Sequence, residues 1–254
     1  MATSGFDFVP GGHTIDDLRA HARDLLPENI FTHIIGGAGE ERTMASNRAG
    51  FGRYRLRPRV LTDVSDIDLG TEVLGVRMSA PVFISPAGGI GMVRDGGEAM
   101  VARVSRDTGL GYCLSSAAGI LIEDAAANAG DNRWYQLYWQ QSRAILADLV
   151  ARAETAGYQA IVLTVDNAVR PKRRRMLLGG YSMPASAGTV NLSRYQEPEW
   201  QDRIAADVTG MQLVWKNVEW LRSIVHVPLI LKGILGAADA RAASSELAAL
   251  GQSA

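Results

Sequence analysis

The sequence predicts an α/β protein built on a parallel sheet, and three observations carry that prediction. From Pro81 onward, short apolar runs alternate with amphipathic helical segments, which is the pattern of βαβ units. The runs are apolar at successive rather than alternate positions, as in strands covered on both faces. Polar and reactive residues gather where each run ends: Ser85, then Ser115 and Ser116, Gln136 and Tyr138, Thr164 and Asp166, and Lys232. Right-handed crossovers leave a doubly wound sheet or a (β/α)8 barrel. A doubly wound nucleotide fold usually shows G-x-G-x-x-G after its first strand, and Gly88, Gly89 and Gly91 do not have that spacing. Polar strand ends converging on one face select the TIM-barrel type, whose active sites sit at that face.

The elements follow in order. Residues 1–12 are punctuated by Gly and Pro and read as a loose arm. Thr14 can cap a helix whose first turn holds Asp16 and Asp17 and whose apolar face holds Ile15, Leu18, Ala22 and Leu25. Pro27 suits the first turn of a second helix, which Gly36 and Gly37 stop. A third helix is expected over 40–49. Pro58 keeps the next stretch extended, and the segment from Asp63 alternates around Gly70 and Gly75 like a small hairpin. Residues 1–80 therefore read as an N-terminal helical cap with a hairpin, and 81–254 as an incomplete barrel of about five of eight βα units. Its strands are expected near 81–86, 112–116, 133–138, 160–165 and 228–232. Helices should cover about 98–107, 122–129, 144–156 and 237–250, with another starting near Trp215. Residues 176–212 lack either period, and a long irregular segment at a strand's C-terminal end is more often a functional loop than packing.

Composition narrows the class. The chain has 254 residues, enough for one large domain or two small ones, and its 47% hydrophobic and 21% charged content is ordinary for a soluble globular protein. A net charge of −1 gives no global attraction to nucleic acid or an acidic membrane. Cys113 is the single cysteine. It fits a reducing, cytoplasmic setting and reads as a buried structural thiol. No signal peptide and no transmembrane run is evident, and no metal is called for.

The stretch AIVLTVDNAVRPKRRR, from Ala160 to Arg175, joins a buried strand to Asp166, Asn167 and a basic loop of Arg170, Lys172, Arg173, Arg174 and Arg175. Alone, that loop reads equally as a solvated surface, a nucleic-acid patch or a localisation signal. The net charge and the lack of a second basic stretch argue against nucleic acid.

The motifs LLPENIFTHIIGGAGEE, NRAGFGRYRLRPRVLTDVSDID, SPAGGIG, CLSS, WYQLYW, LTVD followed by the arginines, and VPLILKGI occur in order over about residues 14–243. Together they resemble the FMN-dependent α-hydroxy acid oxidases and dehydrogenases (the glycolate oxidase, lactate oxidase and mandelate dehydrogenase group). The resemblance implies FMN as cofactor and the oxidation of a small L-2-hydroxy acid to a 2-oxo acid. By position it implies that Pro86, Ala87 and Gly88 lie along the flavin ring. Ser115, Gln136 and Thr164 would hydrogen-bond it, with Thr164 near N5, and Lys232 would sit by N1 and stabilise the reduced form. Tyr138 would act on the substrate catalytically as a donor, and Arg173 would hold its carboxylate.

The chain also departs from that pattern. His33 stands where the family usually has a substrate-binding tyrosine, and a helix-surface histidine is the other reading of it. Ala117 replaces a bulkier residue found in some members, leaving room beside the substrate side chain. The family's catalytic base is a histidine in a Ser-Asn-His-Gly-Gly-Arg motif. The four histidines here, His13, His21, His33 and His226, lie in no such motif. With fewer residues after Pro81 than the ~250 of a full barrel, the chain is expected to be a C-terminally truncated member. It would be complemented by another polypeptide, form a homo-oligomer, or persist as a non-catalytic flavin-binding or partner-binding paralogue.

Overall fold

The computed structural model describes residues 13–140, 142–167, 169, 171–181, 189–198, 200 and 213–251. The expected arm, residues 1–12, lies outside them. The chain divides into two compact units, Met1–Thr62 with Pro171–Met183, and Asp63–Arg170 with Pro184–Ala254.

The first unit is helical. Helix α1 (Ile15–Leu25) starts at a reciprocal cap. Asp17 N donates to Thr14 Oγ1 (3.1 Å) and Thr14 N to Asp17 Oδ2 (2.8 Å), which satisfies two end N–H groups at once. Helix α2 (Glu28–Ile35) follows Pro27 and buries Ile30 and Phe31. Pro27 sits at the N-cap rather than inside the first turn, and Gly36 ends the helix as its spacing predicts. Helix α3 covers Arg42–Gly50, later than expected, because Glu41 takes a left-handed backbone (φ 60°) that helix cannot continue through.

Part of this unit is a correction to the expected basic loop. Pro171 to Arg173 are irregular, but Arg174 and Arg175 open a short helix, α4 (Arg174–Leu178). Arg175 pairs with Glu41 at 2.6 Å and Lys172 O accepts from Gly39 N at 3.0 Å, so the basic segment is tied to the start of α3.

The second unit opens with a hairpin, β1 (Thr71–Val73) and β2 (Val76–Met78), in antiparallel register. Leu74 (φ 51°) and Gly75 (φ 79°) form its two-residue turn, the type I′ geometry that matches strand twist. A five-stranded sheet follows: β3 (Phe83–Ile84), β4 (Gly111–Ser115), β5 (Arg133–Leu137), β6 (Ile161–Thr164) and β7 (Leu229–Lys232). Neighbours in space are neighbours in sequence and every pairing is parallel. This is the order of consecutive barrel strands. The crossovers carry α5 (Gly97–Thr108), α6 (Ile122–Asn128), α7 (Arg143–Thr155), α8 (Val190–Ser193) and α9 (Trp215–Ile224), and α10 (Ala237–Gly251) follows β7. Within the interval 176–212, the described residues form short helical turns, and the remainder lies outside the described residues.

Strand parity sorts the side chains into two sets. Tyr112, Leu114, Tyr135, Leu137, Ile161, Leu163 and Leu229 join a buried core with Leu146, Leu149 and Leu221 from the helices. The opposite parity is layered. Phe83 and Trp134 touch at 4.2 Å toward the strand starts, and Phe83 lies so closely over Gly111 that a Cβ there would stand 2.1 Å from its ring. Cys113, Val162 and Ile230 come next. Ser115, Gln136, Thr164 and Lys232 end the layers: Ser115 is in register with Gln136 and Thr164 with Lys232, the second pair two residues further along because Gln136 is in register with Val162.

Candidate functional site

In the second unit, the sequence-predicted residues at the C-terminal ends of β4, β5 and β6 form one hydrogen-bonded chain. Ala117 N donates to Ser115 Oγ (3.1 Å), Ser115 Oγ to Gln136 Oε1 (3.2 Å), and Gln136 Nε2 to Thr164 Oγ1 (2.9 Å). Ser116 N lies 3.4 Å from the same Gln136 oxygen. Ser115, Gln136 and Thr164 are all buried. Buried polar side chains are costly unless paired, so this chain fixes the rotamers of all three. A hydroxyl has one hydrogen and an amide nitrogen two. The Thr164 hydroxyl hydrogen and the second Gln136 amide hydrogen are therefore not used by these contacts.

Lys232 continues the row on β7. Its positive charge acts on Cys113, but burial dominates there and pushes the thiol up to about 12. Among the described residues no carboxylate pairs with Lys232. Tyr138 lies two residues beyond Gln136, past the end of β5, and is 36% exposed.

The loop after β3 is held by contacts the sequence did not reveal. Gly88 faces Ala117, and a Cβ on Gly88 would stand 2.9 Å from the Ala117 methyl. Gly89 N donates to Ala117 O at 3.2 Å. Glu98, in the first turn of α5, is buried, and its Oε1 accepts from Gly91 N (3.2 Å) and Gly119 N (3.1 Å). That carboxylate staples the glycine-rich loop to the loop after β4. A glutamate in a first helical turn normally reads as a dipole partner on the surface, and the glycines on either side were the only hint otherwise. Asp166, noted as a strand-end residue without a role, packs against Gly233. Gly233 has φ 114°, and a Cβ there would lie 2.6 Å from the Asp166 Cβ.

In the first unit, His33 meets Met176 and Tyr181, and the charge of Arg173 acts on it. The His33 ring stacks on Tyr181, with centroids 4.0 Å apart and planes 8° from parallel, and its Nδ1 lies 3.2 Å from Met176 Sδ. His33 is half-buried rather than a surface histidine. Burial and then the nearby Arg173 charge hold its pKa below the usual histidine value. Arg173 is itself half-buried and has no carboxylate partner among the described residues, whereas Arg175 is paired with Glu41.

A run of parallel βα units with polar side chains lined up at the strand ends defines a barrel-type α/β protein with its chemistry at one rim. The FMN-dependent dehydrogenase family matches residues 22–249, and the chain belongs to that family. The peroxisomal (S)-2-hydroxy-acid oxidase of Oryza sativa subsp. indica is 37% identical over 227 residues, covering 87% of this chain and 62% of that protein. The 4-hydroxymandelate oxidase of Amycolatopsis orientalis is 35% identical over 91% of this chain and 66% of its own length. Solved structures agree. An (S)-mandelate dehydrogenase superposes with a TM-score of 0.82 at 33% identity, over 91% of this chain and 67% of its own. A mandelate oxidase gives a TM-score of 0.80 at 33% identity, over 91% and 64%. The chain thus spans about 62% of the length of the first relative it matches. Among the described residues no helix is long and apolar enough to cross a membrane.

Proposed function

We propose that this chain forms the flavin-ring and substrate-carboxylate part of an FMN-dependent enzyme that oxidises an L-2-hydroxy acid to a 2-oxo acid. The observation that carries the reading is the buried Ser115–Gln136–Thr164 chain ending beside Lys232. The residues present suit a flavin ring in three respects. The polar chain offers fixed donors for a heteroaromatic edge. The Gly88–Ala117 contact leaves the loop of Pro86, Ala87 and Gly88 without a branching side chain at its closest point. Lys232 supplies a positive charge with no carboxylate against it among the described residues.

When bound, FMN would accept the two electrons of the substrate. Ser115, Gln136 and Thr164 would orient its ring, and the loop from Pro86 to Gly88 would lie along it. Lys232 would favour an anionic form electrostatically. Tyr138, exposed past the strand end, would donate a hydrogen bond to the substrate oxygen. Arg173 would hold the substrate carboxylate as a charge-assisted pair, with His33 as a second contact. The small Ala117 would leave space for a substrate side chain. A cytoplasmic location belongs to the same reading.

A second reading, of flavin binding without turnover, is favoured by the histidines. His226 is the only histidine of the second unit by sequence. It precedes β7, at the opposite end of the sheet from the polar row, with its Nδ1 2.9 Å from Glu154 Oε2. Among the described residues of the second unit, no imidazole therefore stands at those strand ends, and a positioned base contributes about 10²–10⁴-fold.

One assay weighs the two readings. The chain is reconstituted with FMN and given glycolate, lactate or mandelate with an artificial electron acceptor. It is assayed alone and with a polypeptide matching the remaining part of its relatives. We expect turnover below a tenth of a typical ~10 s⁻¹ alone and a clear rise with the added polypeptide. Flavin binding without any rise would leave the second reading. No flavin binding in either case would contradict both.

A further inference from the structure

In the first unit, His33 is a half-buried titratable group, and the charge of Arg173 acts on it. His33 is packed on one side by the Tyr181 ring, and its Nδ1 meets a thioether. The charged and titratable groups around it are few. Arg173 caps the start of α4, three residues before the Met176 that touches the imidazole, and its charge acts on both His33 and Tyr181; Tyr181 stacks on the ring from the segment after the helix. Arg175, on α4, is neutralised by Glu41, and Glu28, one turn back on α2, accepts from Thr32 rather than from the imidazole. No carboxylate among the described residues is paired with either His33 or Arg173. A cation beside an imidazole disfavours its protonation, and an anion held by that cation reverses the sign.

We propose that His33 and Arg173 form a proton-linked carboxylate site, in which a small carboxylate held by Arg173 draws one proton from solvent onto the imidazole. This rests on the assignment of Arg173 to the substrate carboxylate and deepens it. The protonated ring adds a second charge-assisted donor, while the stack on Tyr181 limits its orientation. By linkage, the factor by which protonation tightens binding equals the factor by which binding raises proton affinity. Small 2-hydroxy and 2-oxo acids therefore bind more tightly as the pH falls through the range where free His33 is neutral and bound His33 is charged.

The probe is oxalate, titrated calorimetrically into the full chain between pH 5.5 and pH 8. The His33 imidazole is followed by NMR with and without oxalate. We expect affinity to rise about tenfold toward the acid end, and the His33 pKa to rise by about one unit on saturation, the two being the same quantity. In His33→Phe, which keeps a ring on Tyr181, and in His33→Gln, which keeps a neutral polar group, the pH dependence should fall below about twofold, on the same scale. An unchanged pH dependence in both variants, or a His33 pKa that oxalate does not move, overturns the proposal. Arg173→Ala separates the two layers of the argument. If it leaves oxalate binding intact, the carboxylate assignment itself fails. If it abolishes binding while the histidine variants keep the wild-type pH dependence, only the proton linkage fails.

Discussion

Replacing Glu98 tests how the rim of the sheet is held in place. One oxygen of this buried carboxylate accepts from Gly91 N and Gly119 N, joining the loop after β3 to the loop after β4. Glu98→Ala leaves both N–H groups without that acceptor, and each such loss costs about 1–3 kcal/mol when the group stays buried. The expected destabilisation is therefore about 2–6 kcal/mol. Glu98→Gln keeps a carbonyl oxygen of the same reach and loses only the charge assistance, so it should cost about 1 kcal/mol. Urea unfolding followed by far-ultraviolet circular dichroism reads both, with the slope checked for constancy. The alanine variant should also lose flavin affinity under native conditions, because Gly89 and Ala117 belong to the two loops that Glu98 ties. Equal stability of the two variants would mean that solvent replaces the carboxylate and that the staple contributes nothing.

Three further outcomes follow from individual residues. Cys113, pushed up to about 12 by burial, should resist a thiol reagent at pH 8 in native buffer and react fully in urea; rapid native labelling would contradict its placement. Leu74 adopts φ 51° in the hairpin turn, a conformation costing a branched side chain about 1 kcal/mol, so Leu74→Asn beside Gly75 should raise the melting temperature by a few degrees. A melting temperature that falls instead would show that the turn stores no such strain. His33 has a folded-state pKa below its unfolded value. Its contribution is therefore present above the unfolded pKa of ~6.5 and is lost as the pH falls toward the folded value, because the unfolded chain binds the proton first. His33→Phe should flatten the stability profile across that window, and an unaltered slope would contradict the burial of the ring.

The sheet was legible because its signal is local. Runs such as Ile161 to Thr164 are apolar at consecutive positions, and their period separates them from the helices without any knowledge of the fold. The rim was legible for a related reason: Ser115, Gln136, Thr164 and Lys232 each follow an apolar run, and parallel strands carry their ends to one side. What joins those ends was not legible. The Glu98 staple and the Asn191 side chain, which accepts from Ile122 N at 3.0 Å and donates to Ile120 O at 2.8 Å, are long-range contacts that no local period encodes. The His33–Tyr181 stack has the same character. The end of the basic loop was misread because a run of arginines shows charge and little else. Arginine is a good helix former, and Arg174 and Arg175 enter a helix once Glu41 is there to pair with Arg175.

The central claim is that the strand-end row recognises a flavin ring, and flavin titration of the 254-residue chain tests it most directly. The residues assigned here, Ser115, Gln136, Thr164 and Lys232, address the ring and not the phosphate. Fluorescence quenching should therefore show riboflavin and FMN binding with affinities within about tenfold of each other, a gap of no more than ~1.4 kcal/mol. Gln136→Leu should weaken both by at least that factor, through the loss of the amide that links Ser115 to Thr164. Binding of both flavins that is unaffected by Gln136→Leu, or no binding of either, would contradict the account.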